Sequence, residues 1–311
     1  MQTAPLYTDV AKAPDGGSAY WITTADDVRI RIGVWDKGEN GTVFLLTGRT
    51  EYIEKYGQTA GDLQLRGFAT LTQDWRGQGL ADRLLDDPAK GHVMHFDDYQ
   101  HDVNAMFKAA DELNLPKPYY LLAHSMGGCI ALRSLINGID VKAAAFSAPM
   151  WGIAMSGAVK PIARGLSWSF RSVGLGHKYA PGTNAGSYVV TAPFADNQLT
   201  TDPEMFAYMK HQAKTYPQLP LGGPSMHWLF EALTETRDLA TLPAPDIAAV
   251  TFLGSNERIV DCNAVIERMQ NWDNGQLEVL PNAEHEVLME VPTVRNKALD
   301  RSVELFLKHR N

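Results

Sequence analysis

Ser125 interrupts a run that otherwise reads as a buried strand followed by a helix, Tyr119-Tyr-Leu-Leu-Ala-His-Ser-Met-Gly-Gly128 and then Cys129-Ile-Ala-Leu-Arg-Ser-Leu-Ile136. A serine at such a sharp turn carries strained backbone angles, and the residues two before and two after it must be small for strand and helix to pack closely. Ala123 and Gly127 meet that need. The turn lifts the hydroxyl above the sheet and aims the backbone N–H of Met126, at a helix N-terminus, toward a developing oxyanion. The chemistry this suggests is nucleophilic attack on a carbonyl.

A serine hydroxyl is a poor nucleophile at neutral pH, so a histidine must take its proton and an acid must hold that imidazole in the right tautomer. Two late loops supply them in the order Ser, acid, His. Gly254-Ser-Asn-Glu-Arg-Ile-Val-Asp261 follows one strand, and Asn282-Ala-Glu-His-Glu286 follows the next. His285 is the general-base candidate because it stands after the last strand and before a terminal helix. For the acid, Glu257 leaves the strand end directly, whereas Asp261 falls at the N-cap of the following helix, where accepting backbone N–H groups accounts for it. Glu257 is preferred and Asp261 stays open. The second oxyanion donor is expected from Thr47-Gly-Arg-Thr-Glu-Tyr52, where Gly48 lets the chain turn so that the N–H of Arg49 faces the nucleophile.

These loops need a sheet to hold them. Strands are expected at Ala19–Thr23, Val28–Val34, Val43–Leu46, Ala69–Thr72, Tyr119–Ala123, Ala143–Phe146, Ala248–Leu253 and Gln276–Leu280. Helices are expected at Tyr52–Arg66, Phe96–Leu113, Met126–Ile136, Cys262–Trp272 and Pro292–His309. The alternation predicts an α/β fold with a mostly parallel central sheet and helices on both faces. The turn-prone Ala25-Asp26-Asp27 makes the first two strands a hairpin, so the sheet is mixed at that edge. The rhythm stops between about Met150 and Leu242 and then resumes. Three segments follow: core over 1–149, a helical cap insertion over 150–242, and core again over 243–311. The insertion is rich in methionine and aromatic residues, which adapt to irregular apolar ligands, and Met150, Trp151 and Trp228 are the candidates for a substrate-binding wall. The plainer reading is that such residues form the small core of the insertion.

Composition narrows the classes. With 45% hydrophobic and 21% charged residues the chain is globular. A net charge of −8 argues against a nucleic-acid partner and against strong attraction to anionic lipid, leaving at most peripheral membrane contact. The opening residues Met1–Val10 hold no basic stretch followed by an apolar one, and the expectation is a soluble, cytoplasmic protein whose Cys129 and Cys262 are reduced. Asp74-Trp-Arg-Gly-Gln-Gly79 lacks the spacing of a phosphate loop and reads as a structural turn. His92, His95 and His101 have no supporting carboxylates, so no metal is assigned, and serine chemistry requires no cofactor.

The Ala123-His-Ser-Met-Gly-Gly128 elbow, the Asp74-Trp-Arg-Gly-Gln-Gly-Leu80 turn, Gly254-Ser-Asn-Glu-Arg-Ile-Val260 and Glu284-His-Glu286 together resemble the α/β-hydrolase superfamily. They are similar to its bacterial lysophospholipase and monoacylglycerol lipase branch. Asn197-Gln-Leu-Thr-Thr-Asp202 and Gly222-Gly-Pro-Ser-Met-His-Trp228 resemble the lid region of those proteins. The chain departs from the usual pattern at Ala123, where glycine is common, at Thr47-Gly48, where His-Gly is common, and at Glu257, where aspartate is common. The resemblance implies a serine hydrolase acting on a small amphiphilic ester such as a monoacyl lipid. Two other expectations stand beside it: an esterase or amidase for small molecules on the same fold, and a slow ligand receptor that retains the triad.

Overall fold

The computed structural model describes residues 1–156 and 159–310. Among the described residues nine strands form one sheet: β1 (Gln2–Thr3), β2 (Ser18–Thr23), β3 (Arg29–Trp35), β4 (Thr42–Leu46), β5 (Ala69–Asp74), β6 (Tyr119–His124), β7 (Ala143–Ser147), β8 (Ala248–Gly254) and β9 (Gly275–Leu280). Their spatial order is β1-β2-β3-β5-β4-β6-β7-β8-β9. β5, β4, β6, β7, β8 and β9 run parallel, and β1, β2 and β3 add an antiparallel edge.

The central parallel strands β4, β6, β7 and β8 are buried on both faces, which is why they read as nearly continuous apolar runs. Side chains alternate between two cores with the period of two that a strand imposes. Phe44, Leu46, Leu121 and Ala123 pack beneath the helices Tyr99–Glu112 and Met126–Ile136. Val43, Leu45, Tyr120 and Leu122 pack against the helices Gly57–Leu65 and Pro292–Lys308 on the other side. From β4 the chain goes to β5 on one side and returns to β6 on the other. That reversal opens a crevice at the carboxyl ends of β4 and β6, where ligands bind in open α/β sheets.

The expected elements occur with small shifts, and the departures have physical causes. β5 runs two residues beyond the expected Thr72 because Gln73 and Asp74 stay buried, with Asp74 paired to Arg31 of β3 at 2.7 Å. The expected Tyr52–Arg66 helix divides into a 3₁₀ turn, Ile53–Tyr56, and an α-helix, Gly57–Leu65. β1 and a one-turn helix at Thr8–Ala11 were not expected, being too short to show a period.

The described residues between Ser147 and Ala248 carry four helices: Val159–Ser172, Tyr188–Thr191, Pro203–Thr215 and Met226–Thr241. Asp202 and Ser225 cap the last two, accepting from the N–H groups of Glu204 and Trp228 at 2.8 and 3.0 Å. The Pro203–Thr215 helix is tied to the core, since Tyr208 Oη donates to the Ala11 carbonyl at 2.7 Å and Gln212 Nε2 to the Val10 carbonyl at 2.8 Å. The Val159–Ser172 helix instead leaves apolar groups in water, with Ile162 65% and Trp168 58% exposed. No helix among the described residues is long and apolar enough to cross a membrane.

Candidate active site

Ser125 sits between β6 and the Met126–Ile136 helix with φ 50° and ψ −117°, the strained turn expected for an exposed nucleophile. Its backbone is pinned by the N–H of Ser125 donating to Ser147 and by the N–H of Met150 donating back to Ser125 at 2.8 Å. Gly127 is required here because a Cβ would collide with the carbonyl oxygens of Leu46 and Thr47. That contact presses the helix N-terminus against the end of β4. The N–H of Met126, which lies in the first turn and lacks a helical acceptor, therefore sits close to the loop after β4.

In that loop the amides on either side of Arg49 are taken. Gly48 N–H donates to Glu51, and Thr50 N–H donates to Gln78 Oε1 at 2.6 Å. The structure records no acceptor for the N–H of Arg49 among the described residues. The Asp74–Gly79 turn, read from sequence as structural, props this loop. Trp75 Nε1 donates to the Thr47 carbonyl at 2.8 Å, and the Asp74 carboxylate receives the N–H of Ile53 at 2.9 Å.

β8 and the loop after β9 bring the other two residues together. A Cβ on Gly254 would strike the carbonyls of Ala283 and Glu284, so the glycine lets the two loops touch. His285 Nδ1 then lies 2.7 Å from Glu257 Oε2, and Glu257 Oε1 accepts the N–H groups of Ile259 and Val260 at 2.6 and 3.0 Å. Burial pushes the Glu257 carboxyl up, but His285 and the two amides outweigh it and hold it below its ordinary value. With Nδ1 engaged by a carboxylate, Nε2 is the ring nitrogen left to face the pocket. Asp261 caps the next helix, accepting from Asn263 N–H at 3.1 Å.

Ser125, His285, Arg49, Met150 and Trp228 line one pocket of about 540 Å³. Leu199, Met209, Leu221, Leu229 and Ile259 add apolar wall. Trp151 does not join them: its indole donates to the Gly128 carbonyl at 3.1 Å and packs on Phe146 and Trp272, so it is core beneath the serine-bearing helix. The expectation for Trp151 failed because a tryptophan just after a strand can pack against either layer. Among the described residues His92, His95 and His101 form no ligand cluster. His92 Nδ1 contacts Ser225 Oγ at 2.8 Å, and burial pushes its pKa down to about 4.

A buried charged cluster behind the pocket was not foreseen. Glu51 receives Gly48 N–H, the Tyr56 hydroxyl at 2.7 Å and the Lys55 ammonium, and Lys55 also reaches Glu286 at 2.6 Å. His124 turns Nδ1 to the Ser147 carbonyl at 3.0 Å and Nε2 to Glu286 at 3.3 Å. With the ring protonated, the two carboxylates, the ammonium and the imidazolium would balance. Burial pushes the His124 pKa down, but Glu286 and Glu51 more than reverse this and raise it. Glu51, His124 and Glu286 are close enough to hold a metal ion, yet the Lys55 ammonium already lies between the two carboxylates. The cluster ties the loop after β4, the residue before Ser125 and the residue after His285 into one brace. In sequence Glu51 and Lys55 look like an ordinary solvated i,i+4 pair, and nothing local signals their burial.

A parallel sheet, a strained serine elbow and an adjoining acid–histidine pair define a serine hydrolase of the α/β-hydrolase fold. The chain belongs to the family described as serine aminopeptidase, S33, which matches residues 38–292. It is 30% identical over 298 residues to lysophospholipase L2 of Escherichia coli (strain K12), covering 93% of this chain and 87% of that one. It is 31% identical over 268 residues to the probable lysophospholipase L2 of Haemophilus influenzae, covering 85% and 83%. The fold is shared with a monoglyceride lipase from Saccharomyces cerevisiae at a TM-score of 0.72 and 18% identity, covering 96% of this chain and 98% of that one. A carboxyl esterase from Bacillus coagulans shares it at a TM-score of 0.75 and 13% identity, covering 96% and 100%. The enzyme is a serine ester hydrolase.

Proposed function

We propose that the enzyme hydrolyses the carboxylic ester of monoacyl lipids, lysophospholipids or monoacylglycerols, through a Ser125–His285–Glu257 triad. Ser125 Oγ attacks the ester carbonyl while His285 Nε2 takes its proton, and the N–H groups of Met126 and Arg49 hold the oxyanion. His285 then protonates the leaving alcohol. A water molecule, deprotonated by the same imidazole, attacks the acyl-enzyme to free the fatty acid and restore the serine. Glu257 keeps the Nδ1 proton in place and offsets the positive charge on the ring. No step draws on a metal or cofactor.

The observation that carries this reading is the 2.7 Å contact between His285 and Glu257 on the same pocket as the strained Ser125. The apolar wall of that pocket and the names of the lysophospholipase L2 relatives support a lipid ester as substrate. Residues 150–242 serve as a cap over a core made of 1–149 and 243–311. Peripheral contact with lipid is supported by the exposed Ile162 and Trp168. From Val141 to Ala195 the chain has no Asp or Glu but carries Lys142, Lys160, Arg164, Arg171 and Lys178. The net charge therefore understates how well this stretch suits an anionic surface. The free thiols of Cys129 and Cys262 suit a cytoplasmic setting. An aminopeptidase activity is disfavoured because holding a substrate ammonium needs an available carboxylate, and Glu51 and Glu286 on the pocket wall are both engaged by Lys55.

The test is a panel of lysophospholipids, monoacylglycerols and short nitrophenyl esters given to the wild type and to Ser125→Ala. Steady release of fatty acid by the wild type alone is expected. Equal turnover by the two proteins, or turnover of short esters with none of monoacyl lipid, would refute the proposal.

A further inference from the structure

Several guanidinium groups in this fold meet carboxylates, while Arg83 and Arg268 settle on backbone carbonyls outside the pocket. Arg31 pairs with Glu54 and Asp74, Arg76 with Asp26 and Asp102, and Arg133 with Glu235. Arg49 does not: its side chain enters the pocket, and no carboxylate among the described residues lies within ion-pair distance of it. Nη1 donates to the Gly222 carbonyl at 3.0 Å, and the group lies 5.5 Å from the Trp228 ring, so it is fixed in direction. Nε and Nη2 have no recorded acceptor among the described residues. Burial, opposed only slightly by Tyr99, pushes its pKa down to about 10, the mark of a cation that lacks its counter-charge. Lys55, the other lysine or arginine on this wall, is already neutralised by Glu51 and Glu286.

We propose that the Arg49 guanidinium is the head-group subsite, binding the phosphate of a lysophospholipid in two-pronged fashion through Nε and Nη2. The inference rests on the lipid-ester reading and selects within it, favouring phosphorylated over neutral monoacyl lipids. A planar guanidinium fits two phosphate oxygens at once, whereas an ammonium offers a point charge. The spacing suits the substrate, because the same residue supplies a backbone N–H to the ester oxyanion and a side-chain cation a few bonds away. In a glycerophospholipid the phosphorus likewise stands a few bonds from the ester. The lipid brings the charge that the pocket lacks, and Trp228 and Gly222 hold the guanidinium ready for it.

The experiment compares kcat/KM for a lysophosphatidylglycerol and a monoacylglycerol of the same acyl length, kept below aggregation, in the wild type, Arg49→Met and Arg49→Lys. The lysophospholipid-to-monoacylglycerol ratio is expected to fall by about ten- to a hundredfold in Arg49→Met, mainly through KM, and less in Arg49→Lys. Glycerol 3-phosphate should inhibit monoacylglycerol hydrolysis by the wild type but not by Arg49→Met. An unchanged ratio in variants that melt like the wild type overturns the subsite while leaving the lipase reading intact. Inorganic phosphate inhibiting as well as glycerol 3-phosphate overturns the head-group assignment in favour of a free-phosphate site. Failure of the wild type to cleave either lipid defeats the lipid-ester reading itself, and the subsite with it.

Discussion

Replacing Glu257 by Gln separates the two acids the sequence offered. Oε1 of Glu257 receives two backbone N–H groups, from Ile259 and Val260, so the Gln carbonyl oxygen must occupy that place. Its NH₂ group then faces His285 Nδ1, where Oε2 stood at 2.7 Å. Nδ1 must become an acceptor, and the ring proton moves to Nε2, the nitrogen that has to accept the serine proton. A wrong-tautomer change of this kind costs about 10⁴ in kcat, or about 5 kcal/mol of barrier. The fold should survive, because the amide matches the carboxylate in shape. Asp261→Asn is the matched control, since Asn caps a helix as well as Asp does. Turnover of a nitrophenyl ester, with active sites counted by fluorophosphonate labelling, gives both numbers. A Glu257→Gln enzyme retaining more than about a tenth of its activity beside a dead Asp261→Asn enzyme would refute the reasoning.

The buried brace yields two more expectations. Lys55→Met removes the ammonium that lies between Glu51 and Glu286, which should cost about 3–5 kcal/mol in urea unfolding, and adding Glu286→Gln should restore part of it. His124 has a raised pKa in the fold, so its stabilising contribution is complete below about pH 6.5, the unfolded value, and is lost as pH rises through the folded one. His124→Gln should accordingly flatten the alkaline limb of a plot of Tm against pH, and an unaltered limb would contradict the upward shift. Replacing Ile162 and Trp168 by serine should slow hydrolysis of aggregated lipid several-fold and leave dispersed short esters nearly untouched. Equal losses on both would show that these side chains act on the pocket and not at a surface.

What the chain order revealed was whatever repeats locally. Strand runs such as Val43–Leu46 announce themselves because every residue is apolar and buried, and the loop after each strand follows from that. That His285 and Glu257 stand on neighbouring loops could therefore be read from position alone. Polar residues inside the core were invisible, since Arg31, Asp74 and Lys55 are buried with partners distant in sequence that neutralise them. Trp151 was misplaced for a related reason: its indole is held by the Gly128 carbonyl, a contact no local pattern encodes. Within the insertion the aromatic count was plain, but which rings turned inward depended on packing. Trp228 meets the pocket and Trp168 meets solvent.

The insertion is fastened unevenly. Gln198 and Leu199 accept the N–H groups of His285 and Glu286, Thr201 Oγ1 donates to Glu290 at 2.6 Å, and Gln212 reaches back to Val10. The stretch around 198–212 is thus a strut for the histidine loop itself, whereas among the described residues the Val159–Ser172 helix makes no such bonds to that loop. An engineer hoping to graft a foreign roof onto this scaffold could exchange the earlier part with less disturbance, but trading the later part would unseat His285, and selectivity and rate would change together.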